Sequence, residues 1–452
     1  MTRRTPGQSQ IVSGVAAALL SWTPAHAADL VQIYREAKAN DAPYASARAA
    51  LEAGRERLPQ GRSLILPTVN ATGNSTYSDN TVTQLAPSSA APAARDFHVN
   101  AWTVTLAQPL YRWQNWIQYQ QSEFQVAQAE AQFSQATQDL IVRVAQAYFD
   151  VLAADNSLAF IQAQKTAISE QLAQAKRNFE VGTATITDTN EAQARFDLSV
   201  SQEIAAQNDV EIRRRALQQI IGRFPDDLAP LRSTFSVEPP QPNRMDDWVD
   251  AAQKQAYPVR IQEAAAEIAD REVKRNRAAH LPTVDVVATY GNNISTGSST
   301  SATGGGTDVR SATLGLQLTV PLYAGGLVNS RVREALANSD RARADLENSR
   351  RQAALSARQS FLGVTNGMAQ VRALEQAVTS SETALASNRL GYEVGVRINI
   401  DVLNSQQQLF STRRDLSRAR YDTILNGLRL KAAAGTLTEA DLQAVNTLLA
   451  GG

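Results

Sequence analysis

The chain has 452 residues, of which 44 are Lys or Arg and 44 are Asp or Glu, so it has no basic excess for general nucleic-acid binding. It contains no cysteine, which excludes disulfides, thiol chemistry and Cys-ligated zinc. Its histidines, His26, His98 and His280, lie far apart and without metal-ligand spacing, and no nucleophile–base pair or cofactor motif stands out.

At the start, Arg3 and Arg4 precede the apolar stretch IVSGVAAALL, followed by Pro24 and a small-residue site ending at Ala27. This pattern predicts a secretory signal peptide over residues 1–27. The apolar run is too short to span a bilayer, and no later segment reaches the roughly 18 apolar residues that a spanning helix needs. With no cysteine after the cleavage site, no lipid anchor is expected.

The first repeat is expected over 28–222, beginning with a helix and continuing into a β-hairpin over 66–110. In HVNAWTVTLAQPL, Trp102, Val104 and Leu106 alternate with Thr103, Thr105 and Ala107, and PTVNATGNSTY from Pro67 supplies the partner strand. No proline occurs between Pro109 and Pro225, and the Ala-, Gln- and Glu-rich composition there predicts long helices. Ile141, Val144, Tyr148, Val151 and Leu158 form a narrow apolar seam. As helix, the stretch from Trp113 to Asn178 is about 100 Å long. The run Arg213–Arg215 sits at helical spacing with Glu211 and Leu217 and reads as a solvated face.

A turn follows over 179–188, FEVGTATITD. Gly182 supplies the positive φ that ends a helix, and Asp188 is expected to begin the next one, with Glu191 completing a capping box. A linker is expected over 223–245.

The second repeat, 246–436, runs through the same order: a helix, a β-hairpin over 281–322, long helices, and a tip turn over 392–401, YEVGVRINID. In its last strand Ala312, Leu314, Leu316, Leu318 and Val320 alternate with Thr313, Gly315, Gln317 and Thr319. The Gly304–Gly306 run lacks a following Gly-Lys-Ser/Thr and reads as loop. Gly395 and Asp401 repeat Gly182 and Asp188 at an offset of 213 residues. Residues 437–452 form a C-terminal segment. Matching blocks in one order, at nearly one offset, indicate an internal duplication.

Four strands with one apolar face have the pattern of an outer-membrane barrel, yet four cannot close, and open edges are not viable in lipid. Several chains must contribute. Two would give eight strands and a filled interior, whereas three would give twelve and leave a pore, so a trimer follows if the object is a channel.

These features resemble the TolC family of trimeric outer-membrane channel-tunnels. The resemblance is carried by the duplicated order of strand pair then long helix, by VGTATITD and VGVRINIDVLN, and by the ending LKAAAGTLTEADLQAVN. It implies a mainly α protein whose four strands per chain complete a twelve-stranded trimeric barrel, continuous with a coiled-coil tunnel across the periplasm. It further implies an outer-membrane location, no enzymatic activity and no cofactor. The implied partners are a periplasmic adaptor (a membrane fusion protein), an inner-membrane ABC or proton-driven transporter, and outer-membrane lipid. In this reading the channel passively conducts drugs or secreted proteins.

By the same resemblance, Tyr392 and Arg397 hold the tunnel shut by bonding to Asp188, and Asp401 forms the ring that constricts the entrance. The family's second acidic ring position is Asn404 here, which leaves one acidic ring where the family has two. Val181, Gly182 and Thr183, with Val394, Gly395 and Val396, are expected to contact the adaptor. A periplasmic adaptor or a structural coiled coil of the envelope are the competing readings; the first would need lipoyl-like β domains, which the sequence lacks.

Overall fold

A computed structural model describes residues 27–82, 93–232, 238–297 and 305–450. The expected signal peptide, apart from Ala27, and most of both hairpin loops lie outside these residues.

Three short helices, α1 (Leu30–Asn40), α2 (Ala42–Arg55) and α3 (Arg57–Ser63), lead to strands β1 (Thr68–Val82) and β2 (Ala93–Tyr111). Helix α4 (Trp113–Glu180) is 68 residues long, about 100 Å, and reverses into α5 (Ile186–Ile221). The second half repeats the plan with α6 (Met245–Gln255), α7 (Tyr257–Arg277), β3 (Thr283–Ser295), β4 (Thr307–Thr319), α8 (Leu327–Glu393) and α9 (Asn399–Ala433), and ends with α10 (Glu439–Asn446). The two long helices extend because their Ala-, Gln- and Arg-rich sequences hold no proline or β-branched run that would stop them.

The strands form one antiparallel sheet in the order β1-β2-β3-β4, with no partner for β1 or β4 on their outer edges among the described residues. Register places one face as expected: Leu318, Leu316 and Leu314 sit opposite Val284, Val286 and Ala288, and Leu106 lies between Ala288 and Val69. On the other face Thr313 pairs with Thr289, hydroxyl to hydroxyl, and Gln317 with Asp285. Leu314, Leu316 and Leu318 are 64–78% exposed in the single chain. The strands are longer than the ten residues expected, 13 to 19. Their far ends carry Asp79, Asn80, Asp96, Asp308 and Arg310, where pairing continues in a polar setting that the apolar pattern does not register. Val320 lies beyond the end of β4.

At the base of the sheet, Arg112, between β2 and α4, makes a two-pronged bond to the buried carboxylate of Asp285 on β3, at 2.7 Å for each prong. That bond ties the sheet to the first turn of α4. The sheet-proximal half of α4 packs on α2 and α3, and its other half on α5; α8 likewise packs on α7 and then α9, with α7 and α9 lying between α4 and α8. The largest apolar core lies where α4 meets α1, α5, α9 and α10. There Leu140, Ile141, Val144, Tyr148 and Phe149 of α4 meet Leu30 and Ile33 of α1, Leu217 of α5, Leu425 of α9 and Leu442 of α10. Ala28 bridges Leu228, and the buried Tyr148 hydroxyl lies within hydrogen-bonding distance of the Ala28 and Ala229 carbonyls.

Candidate functional site at the helical tips

The two reversals, α4 into α5 and α8 into α9, share one hydrogen-bond pattern. At the first, Val181, Gly182 and Thr183 donate to the carbonyls of Arg177, Phe179 and Asn178; at the second, Val394, Gly395 and Val396 donate to Leu390, Tyr392 and Gly391. Gly182 and Gly395 each have φ +76°, the left-handed conformation that lets these closures form. Nothing lies within 4 Å of a β-carbon built on either glycine. Val181, Val394 and Val396 project into solvent around them.

The start of α5 differs from the expected one. Thr185 is its cap and Asp188 the third residue: Thr185 Oγ1 accepts from the Asp188 amide at 3.2 Å, and Asp188 Oδ2 accepts from the Thr185 amide at 3.0 Å. The capping box is Thr185 with Asp188, not Asp188 with Glu191, because a threonine three residues before the acid offers both halves of the exchange. In α9 the corresponding cap is Ile398, which has no hydroxyl to give, and Asp401 is again third.

Within the chain Arg397 pairs with Asp401 at 3.6 Å, one turn along, while Oδ2 of Asp188 is held by Thr185. The side chain of Arg397 folds back across Gly391, where a β-carbon would lie 2.7 Å from its Cγ. Tyr392 also bonds elsewhere than expected: its hydroxyl accepts from Asn178 Nδ2 at 3.2 Å, joining the end of α8 to the end of α4.

Further along, Gln171 of α4 donates to the fully buried Asn399 of α9. Asn404 accepts from Arg195 Nη2 of α5 at 3.0 Å, and Gln407 from Arg195 Nη1 at 2.6 Å. Sequence reasoning missed Asn178, Gln171, Asn399 and Arg195, which are polar residues on helical seams with no local signature. Thr185 was legible, since Thr-x-x-Asp is a capping signal in its own right. What the arrangement can do is hold two helical hairpins together through exchangeable polar contacts.

A family model for outer membrane efflux proteins matches residues 33–223 and 248–436, one match for each half of the chain. The chain belongs to the outer membrane efflux protein family. Among curated members of this family, the outer membrane protein TolC of Vibrio cholerae is 33% identical, with 93% of each chain covered. The alkaline protease secretion protein AprF of Pseudomonas aeruginosa is also 33% identical, over 94% of this chain and 88% of that one. In fold, the Campylobacter jejuni CmeC outer membrane channel superposes with a TM-score of 0.77 at 15% identity, covering 100% of this chain and 98% of that one. Membership of the efflux family makes this an outer-membrane efflux or secretion channel and sets aside the adaptor and the structural coiled coil.

Proposed function

We propose that three copies of the chain assemble head to tail into a twelve-stranded barrel joined to a helical tunnel, and that the tips close this tunnel at rest. One observation carries the reading: a four-stranded sheet with two unpaired edges and an exposed apolar face. Such a sheet is stable in lipid only when its edges find partners and that face meets acyl chains. The helices agree, since α5 exposes Leu198, Ile204 and Ile212, and α8 exposes Leu336, Leu355 and Leu362, two different faces suited to a head-to-tail ring. Tyr111, Trp113, Trp116 and Tyr323 cluster near the base of the sheet, as aromatic residues do at a membrane interface.

In the assembled channel the tip reversals receive a periplasmic adaptor, which links them to an inner-membrane ABC or proton-driven transporter. Drugs or secreted proteins then cross passively. Tyr392, Arg397, Asp401 and Asp188 belong to the closure, with Asp401 at the constriction. The test is reconstitution of the purified protein in planar bilayers. A heat-resistant trimer with a small resting conductance is expected, and a monomer without conductance overturns the reading.

A further inference from the structure

The gate residues considered so far lie at the reversals themselves. Arg195 lies two turns above them, on α5, and reaches across to α9, where both of its terminal nitrogens are used: one donates to Asn404 and the other to Gln407. Among the hydrogen bonds of the described residues, no other side chain joins α5 to α9. The remaining cross-links near the tips, Asn178 to Tyr392 and Gln171 to Asn399, both start from α4. Both acceptors of Arg195 are neutral amides, and no carboxylate of the described residues lies within 4 Å of its guanidinium. The nearby acid on α9, Asp401, is paired with Arg397.

We propose that Arg195 is a clasp that holds the α8–α9 hairpin against the α4–α5 hairpin, and that Asn404 serves as its neutral acceptor, leaving the positive charge of Arg195 uncancelled on this face. The proposal rests on the channel reading above. A planar guanidinium fits two side-by-side carbonyl acceptors, which a lysine ammonium does not match, so the clasp depends on the fork as well as on the charge. The position where the resemblance would place a second acid is then one end of a cross-helix bond. An acid placed there meets Arg195 before it meets cargo.

Single-channel recording on heat-resistant trimers separates these roles. Arg195→Ala removes the bonds and is expected to raise the open fraction severalfold. Arg195→Lys keeps the charge but loses the fork, and is expected to raise it as well. Asn404→Asp converts the clasp into an ion pair; it lowers the open fraction and leaves block by multivalent cations unchanged. Adding Arg195→Gln to Asn404→Asp releases the carboxylate, and block then strengthens severalfold. A parent trimer that conducts normally, with an open fraction unchanged in Arg195→Ala, overturns the clasp alone. Stronger cation block in Asn404→Asp by itself overturns the charge assignment. A parent trimer without any conductance overturns the channel reading and the clasp with it.

Discussion

Asp188 and Asp401 occupy the same place in their helices, third from the start, yet Asp188 is bound inside its own cap while Asp401 pairs with Arg397. Two side chains distinguish the starts: Thr185 at one cap where the other has Ile398, and Ala184 at one where the other has Arg397. Replacing Ile398 by Thr supplies the missing hydroxyl. Asp401 is expected to turn into the cap, stabilising the start of α9 by about 0.5–2 kcal/mol and freeing Arg397. Thermal melts and single-channel conductance check the two effects; a more stable tip with unchanged conductance means that the Arg397–Asp401 pair does not restrain the gate.

Arg397 and Tyr392 are expected to act together. Arg397→Glu sets like charges side by side with Asp401, and Tyr392→Phe removes the bond from Asn178. Gly391→Ala reaches the same end by bulk, since its methyl group would meet the Arg397 side chain. Each is expected to raise resting conductance, and the Arg397→Glu, Tyr392→Phe double variant more than either alone. Unchanged conductance of intact double-variant trimers rules out this tip as the lock.

The reversal glycines offer a test of partner binding. A β-carbon added at Gly182 or Gly395 meets nothing within 4 Å, so a tryptophan there starts in open space; the left-handed backbone adds a strain of about 1–2 kcal/mol. Export is expected to fail while trimers remain in the outer membrane. Normal export with both glycines replaced shows that the adaptor does not approach these turns.

In the largest apolar core the buried Tyr148 hydroxyl donates to the Ala229 carbonyl at 2.8 Å, while the Ala28 carbonyl, 3.3 Å away, also accepts from the Ala229 amide. Tyr148→Phe leaves the Ala229 carbonyl without that donor and is expected to cost about 1–3 kcal/mol. Chemical denaturation of the mature protein measures it, and a loss below a few tenths of a kcal/mol means that another donor reaches the Ala229 carbonyl.

Glu439, at the first turn of α10, gives a pH dependence. The hydrogen bond from Lys38 at 2.6 Å, aided by Tyr34, holds its carboxyl below the ordinary glutamate range despite partial burial. A carboxylate depressed in the folded state contributes stability that is complete above its unfolded value of about 4.3 and lost as pH falls through the lower folded value. Docking of α10 on α1 is therefore expected to weaken only below about pH 4, and Glu439→Gln is expected to remove that acid dependence. Hydrogen exchange of the α10 amides across pH 3–7 reads it directly; an acid loosening that persists in the variant assigns the effect to another group.

Much of this molecule was legible in local pattern. The alternation of Leu314, Leu316 and Leu318 with Thr313 and Gln317, the proline-free helices, and the two Val-Gly reversals all follow from periodicity, propensity and backbone sterics, which act between residues close in sequence. The duplication was legible as well, because a repeated order of elements needs no knowledge of contacts. Which polar side chains meet across helices was not. Arg195 with Asn404, Asn178 with Tyr392, and Arg112 with Asp285 join residues 173 to 214 positions apart. No spacing encodes such a pair; it exists only once α5 has been laid beside α9 and β2 beside β3. The choice of Asp401 over Asp188 as the partner of Arg397 belongs to both levels. The threonine that occupies Asp188 could be read in the sequence, while the folding of Arg397 across Gly391 was decided by the tertiary structure, where the absence of a β-carbon leaves room for that side chain.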